Sequence, residues 1–131
     1  MFEESFRVRF YETDALKHVS NTTLVQWFES TREPIFKLFT PELDLDNWPL
    51  ILANYHVDFL RQIFLGEVTL RTGIAKLGNS SFVVHQEVWQ NGEKCAVGKT
   101  TMVHFNYESS RAEPLPSHIR EELQMHLVAE E

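Results

Sequence analysis

Residues 11–21, "YETDALKHVSN", run directly into residues 22–39, "TTLVQWFESTREPIFKLF". In the second segment Leu24, Phe28, Thr31, Ile35 and Leu38 or Phe39 recur three or four apart, which predicts one long helix with an apolar stripe interrupted by Thr31. Pro34 lies inside that run, where a proline removes the hydrogen bond to Ser30 and costs about 3 kcal/mol in a helix interior, so a kink or restart is expected. The first segment is a junction that packs Asp14, His18 and Asn21 together. Taken singly, Asp14 reads as a turn-former, because Asp hydrogen-bonds its own following backbone. His18 reads as a structural hydrogen-bonder, and Ser20 or Asn21 as the cap of the coming helix.

Upstream, "SFRVRFY" alternates Phe6, Val8 and Phe10 against Arg7, Arg9 and Tyr11, which predicts a half-buried strand. "TPELDLDNWP" reads as an irregular connection. Four strand-like runs follow it. The first carries Tyr55, Val57 and Phe59 against His56, Asp58 and Leu60. In the next, Val68, Leu70 and Ile74 share a face, with Gly73 a candidate bulge. "SFVVHQEVW" and "KCAVGKTTMVHFNY" complete a meander, joined by "LGNS", which suits a type II′ turn, and Asn91-Gly92, which suits type I′. A two-residue turn at Asn91-Gly92 makes paired positions sum to 183, so His85 should face Gly98 and His104 should face Asn79. The last strand places Ala96, Gly98 and Thr100 on one face, where a helix or a ligand can come close. "PLPSHIREELQMHL" opens with prolines and a Ser117 cap, and predicts a short final helix. The order is α+β: a five-stranded antiparallel sheet covering one long helix, in a single domain over residues 1–131.

The composition narrows the function. A net charge of −7 with no long basic block argues against nucleic acid or an anionic membrane as partner. The single cysteine, Cys95, excludes an internal disulfide and fits a reducing compartment. "MFEESFRVRF" carries acids where a secretory leader would be basic and then apolar, and no apolar stretch reaches spanning length, so a cytoplasmic protein is expected. Asp14 and His18 supply too few ligands for a catalytic zinc, and His85 and His104 lie on different parts of their strands, so no metal is expected. Neither a Gly-rich phosphate loop nor a G-x-S-x-G elbow is present, and Cys95 reads as a small buried hydrophobe.

The run "VRFYETDALKHVSNTTLVQWFESTRE" resembles the entry motif of the hotdog-fold acyl-CoA thioesterases of the 4-hydroxybenzoyl-CoA thioesterase type, in which an Asp in a D-x-x-x-H-V-x-N-like turn precedes the central helix. "VDFLRQIFLGEVTLRTGIAKLGNSSFVV" and "RAEPLPSHIREEL" are similar to later parts of that family, so the resemblance spans nearly the whole chain. It implies a hotdog fold, with the sheet wrapped around the central helix. It also implies hydrolysis of an acyl-CoA to free acid and CoA, with coenzyme A as part of the substrate and no separate cofactor. Asp14 matches the catalytic carboxylate, acting as nucleophile or general base. Asn21 matches the position whose backbone N–H polarises the thioester carbonyl, and His18 takes a supporting role in shaping the turn. Lys17 stands where the motif commonly has Gly. Such proteins work as homodimers or homotetramers, with the acyl group entering between subunits. Lys76, near a hairpin end, is placed either to meet CoA phosphates or to stand as an ordinary surface lysine. Two alternatives remain: a hotdog hydratase or dehydratase acting on acyl-thioesters, and a non-catalytic binder of acyl-CoA or acyl-carrier protein.

Overall fold

The computed structural model describes residues 1–128 of the chain. The first strand, β1 (Phe2–Arg7), leads through a one-turn 3-10 segment (Phe10–Glu12) and the junction into α1 (Asn21–Thr31) and α2 (Glu33–Phe39). Strands β2 (Leu50–Phe59), β3 (Glu67–Leu77), β4 (Ser81–Gln90) and β5 (Glu93–Asn106) follow, then a two-residue β6 (Arg111–Ala112) and a closing α3 (Ser117–Gln124). The sheet is antiparallel, in the order β1-β3-β4-β5-β2, with β6 beside β5. The chain leaves β1 at one edge, crosses the sheet as the helix, and lands as β2 at the opposite edge. The result is a curled sheet around a long bent helix with a short C-terminal helix, the hotdog arrangement.

The predicted stripe is the buried one. Leu24, Phe28, Thr31 and Ile35 are all under 5% exposed, and Trp27 joins them. The helix restarts at Arg32, which places Pro34 in the first turn of α2, where no intrahelical N–H bond is lost. Two apolar clusters lie along the helix: one around Leu24, Trp27 and Phe28, the other around Ile35, Leu50, Ile74 and Phe82. The small residues on β5 allow close approach, since a Cβ at Gly98 would come 2.8 Å from Phe28 Cε2.

Between the two clusters, the break in the helix is held by polar side chains from the sheet. Gln86 Nε2 donates to the Phe28 carbonyl (2.9 Å), Thr31 Oγ1 (3.0 Å) and Thr72 Oγ1 (3.1 Å). Thr72 Oγ1 donates to the Thr31 carbonyl (3.4 Å), and Arg32 Nη1 donates to Gln86 Oε1 and Thr100 Oγ1, both at 3.3 Å. Carbonyls freed by the end of α1 thus find donors inside the core. Burial pushes the Arg32 guanidinium below its ordinary pKa, with Glu29 opposing.

Several local expectations are corrected. The first strand starts at Phe2 and ends at Arg7, and Phe10 is 80% exposed, because the chain turns there into the 3-10 segment. Asn91 and Gly92 both have positive φ, as type I′ requires, whereas Gly78 is not among the positive-φ residues. Gly78 is small for a different reason: a Cβ there would come 2.9 Å from Ser81 Oγ. The sum of 183 holds only beside the turn. Past Val88 the register shifts, leaving Cys95 as the extra residue, and Gln86 rather than His85 faces Gly98. The irregularity in β3 falls between Ile74 and Lys76, not at Gly73, where a Cβ would collide with Val128, Met1 and the His126 carbonyl. Ser117 is the first residue of α3, and Pro116 is its cap.

Candidate active site

The junction closes on itself through Asp14. Its Oδ1 accepts from the Leu16 N–H (2.8 Å) and the His18 N–H (3.2 Å), while its own N–H donates to the His18 carbonyl (2.8 Å). Both side-chain bonds fall on Oδ1, so among the described residues Oδ2 is the unbonded oxygen of an exposed carboxylate. Lys17 adopts φ +66°, so the turn keeps the left-handed conformation that a glycine would supply, at a cost of about 1–2 kcal/mol for a side chain with a Cβ. His18 contributes mainly backbone. Its imidazole meets the Phe64 ring edge-on, with centroids 5.1 Å apart.

A buried acid that the sequence reading passed over anchors this turn to the helix. Glu12 is 7% exposed, and its Oε2 accepts from Trp27 Nε1 (2.7 Å). Oε1 accepts from the Arg9 N–H (2.7 Å), and the Glu12 carbonyl accepts from the Ser20 N–H (3.2 Å). One residue therefore ties the approach to the junction, the cap of α1, and a side chain two turns into it. The available signal was weak: an apolar-stripe Trp whose indole N–H needs an acceptor once buried.

Ser20 is the cap, accepting from the Thr23 N–H at 3.3 Å. Asn21 and Thr22 begin the helix with no intrahelical acceptor for their N–H groups, at the end carrying about half a positive charge. Asn21 opens onto a cleft of about 240 Å³, walled by Ser20, Asn21 and Leu24 on one side and by residues 59–63 on the other. Arg61 lines it and pairs with Glu93 at 3.4 Å. Of the expected site residues, Asn21 lines this cleft, whereas Asp14 and His18 stand outside it in the adjoining turn. Lys76 lies on the other face of the sheet, in a separate depression. Cys95 is 3% exposed, and burial, with the Glu93 charge adding to it, pushes its thiol pKa up, which suits a packing residue rather than a nucleophile. Among the described residues no three His, Cys, Asp or Glu side chains are grouped to hold a metal ion, and no helix is long and apolar enough to cross a membrane.

Comparison with known proteins bears on the whole of this frame. A model of the thioesterase-like superfamily matches residues 8–123. An uncharacterised Bacillus subtilis protein, YsmA, is 31% identical over 114 residues, covering 85% of this chain and 77% of its own. A protein from Bacillus stearothermophilus, described as a predicted thioesterase, is 40% identical with a TM-score of 0.94, over 99% of this chain and 98% of that one. A Thermus thermophilus thioesterase, solved as a complex with coenzyme A and Zn, is 32% identical with a TM-score of 0.82, over 93% and 96% of the two chains.

Proposed function

Because the chain belongs to the thioesterase-like superfamily, we propose that it hydrolyses acyl-CoA thioesters, converting R-CO-S-CoA and water to R-COOH and CoA-SH. One observation carries the reading. Asp14 is held by two backbone donors on a single oxygen, a few residues before a helix whose first residue, Asn21, lines an open cleft. A carboxylate so fixed keeps Oδ2 directed outward, as nucleophile or as base toward water. The Asn21 N–H polarises the thioester carbonyl and then holds its developing oxyanion. Removing one such donor typically raises a barrier by about 2.7–4 kcal/mol. The thiolate leaves without a strong acid, and no metal or cofactor is required beyond the CoA carried by the substrate.

His18 supports the turn through its backbone. Its ring is engaged with Phe64, which argues against a hydratase built on a His18–Asp14 acid–base pair. A second copy of the chain completes the cleft in this reading. β2 is an edge strand, and Leu52, Tyr55 and Phe59 on its helix-facing side are 44%, 55% and 51% exposed, an apolar strip suited to a dimer. We place the enzyme in the cytoplasm.

The test is release of free thiol from a panel of acyl-CoAs by the wild type and by Asp14→Asn. The Asn retains an acceptor oxygen for Leu16 and His18, so the turn and the melting temperature should survive, while turnover should fall about 10²–10⁴-fold. Full turnover in the variant would remove Asp14 from the mechanism. A single turnover in ¹⁸O-water separates the two chemistries, since label in Asp14 itself marks an anhydride.

A further inference from the structure

Coenzyme A ends in a phosphorylated nucleotide, and its phosphates need cations. The cleft at the start of α1 offers Arg61, already paired with Glu93, in a chain whose net charge is −7. A concentration of cations lies across the sheet. On β4 the buried Val84, Gln86 and Val88 face the helix, so His85 and Glu87 face outward. There a depression of about 770 Å³ is lined by Lys76, Lys94, Lys99 and His85 over Val83 and Val97. That is the size of a small-molecule site.

The acids in this depression are already matched. Glu87 is 5% exposed, with His85 Nε2 at 2.8 Å, Trp89 Nε1 donating at 2.8 Å and Lys94 Nζ at 3.5 Å. Burial alone would raise its pKa, but these partners together hold it below the ordinary value. Asp58 is bonded to His56 Nε2 at 3.0 Å. Lys99 sits between His85 and His56 in the cross-strand register, and neither it nor Lys76 forms an ion pair among the described residues. Among the described residues, Lys76 and Lys99 therefore bring positive charge to the depression that no ion pair takes up.

The two hollows meet at one residue. Leu60 lines both the helix-start cleft and the outer depression, with Phe59 turned to the first and Asp58 to the second. The end of β2 is the rim between them, held there by the Leu60 N–H donating to the Cys95 carbonyl at 2.8 Å. We propose that the outer depression binds the phosphorylated nucleotide of CoA, with Lys99 and Lys76 on its phosphates, while the pantetheine arm crosses the rim at Leu60 to deliver the thioester to the start of α1. This assignment rests on the acyl-CoA thioesterase reading and names the site that recognises the carrier.

The experiment uses the full chain and its Lys76→Ala/Lys99→Ala variant, with two readouts. Calorimetry measures binding of adenosine 3′,5′-bisphosphate, a probe that needs no hydrolysis. Kinetics compares one acyl group carried on CoA and on N-acetylcysteamine, which lacks the nucleotide. The variant should lose about tenfold or more in bisphosphate affinity and gain a similar factor in KM for the acyl-CoA, with the N-acetylcysteamine thioester unaffected. Unchanged bisphosphate affinity, or equal KM changes for both carriers, overturns the assignment and leaves the thioesterase reading standing. Lysine-dependent bisphosphate binding without hydrolysis of either thioester does the reverse: the nucleotide site stands and the hydrolase reading falls.

Discussion

The two ends of α1 are treated in opposite ways. At its start, Ser20 occupies the Thr23 N–H, and Asn21, whose N–H has no intrahelical acceptor, lines an open cleft near an exposed Asp14. At its finish, the freed backbone oxygens are buried and met by Gln86 and Thr72. Backbone groups without partners are costly inside and tolerable outside. One end is sealed to hold the helix against the sheet, and the other, in the proposed mechanism, keeps its donors for the thioester carbonyl. Polar residues at a helix end thus carry different meanings according to burial.

That contrast can be broken at either end. The largest effect is expected from Gln86→Leu, which strips donors from the Phe28 carbonyl and Thr31 and an acceptor from Arg32, all buried. Leaving such groups unmet costs about 1–3 kcal/mol each, so a total near 3 kcal/mol or more is expected in a urea melt, with turnover per folded molecule retained. A loss of turnover in molecules that remain folded would show that the sealed end also serves the site. Ser20→Ala should cost about 1 kcal/mol of stability by removing the cap. Because the cap also fixes the first turn, a fall in kcat per folded molecule is the sharper signature; equal turnover would mean the donors are positioned by Glu12 and Trp27 alone. The smallest effect belongs to Lys17→Gly, which relieves the φ +66° strain and should change stability by no more than about 1 kcal/mol, measured as a small upward shift of the melting midpoint, with activity intact.

What could be read beforehand divides along the same line. Periodicity exposed the helix stripe and the restart at Pro34, because those depend on residues three or four apart. The Asn91-Gly92 turn was legible because its φ demands are local. Phe10 was misplaced because alternation alone suggests a longer strand, while the chain is drawn aside by Glu12 reaching Trp27, fifteen residues on. The register of β4 on β5 was off by one beyond Val88 because a single extra residue, Cys95, leaves no mark in composition. Asp14, His18 and Asn21 were singled out as candidates through the motif they resemble. Glu12 and the lysines gathered by Lys99 were not, since the first needs a distant donor and the second needs three strands brought side by side.

The strip on β2 has a consequence for the single chain. A ten-residue edge strand with Leu52, Tyr55 and Phe59 uncovered is a template for any extended segment that meets it. Natural sheets blunt such edges with charge or proline, and this one has His56 and Asp58 on the outer side only. Chains whose edge is unpaired should therefore fail by clumping through it rather than by melting, so the handling limit is set by concentration and crowding more than by heat.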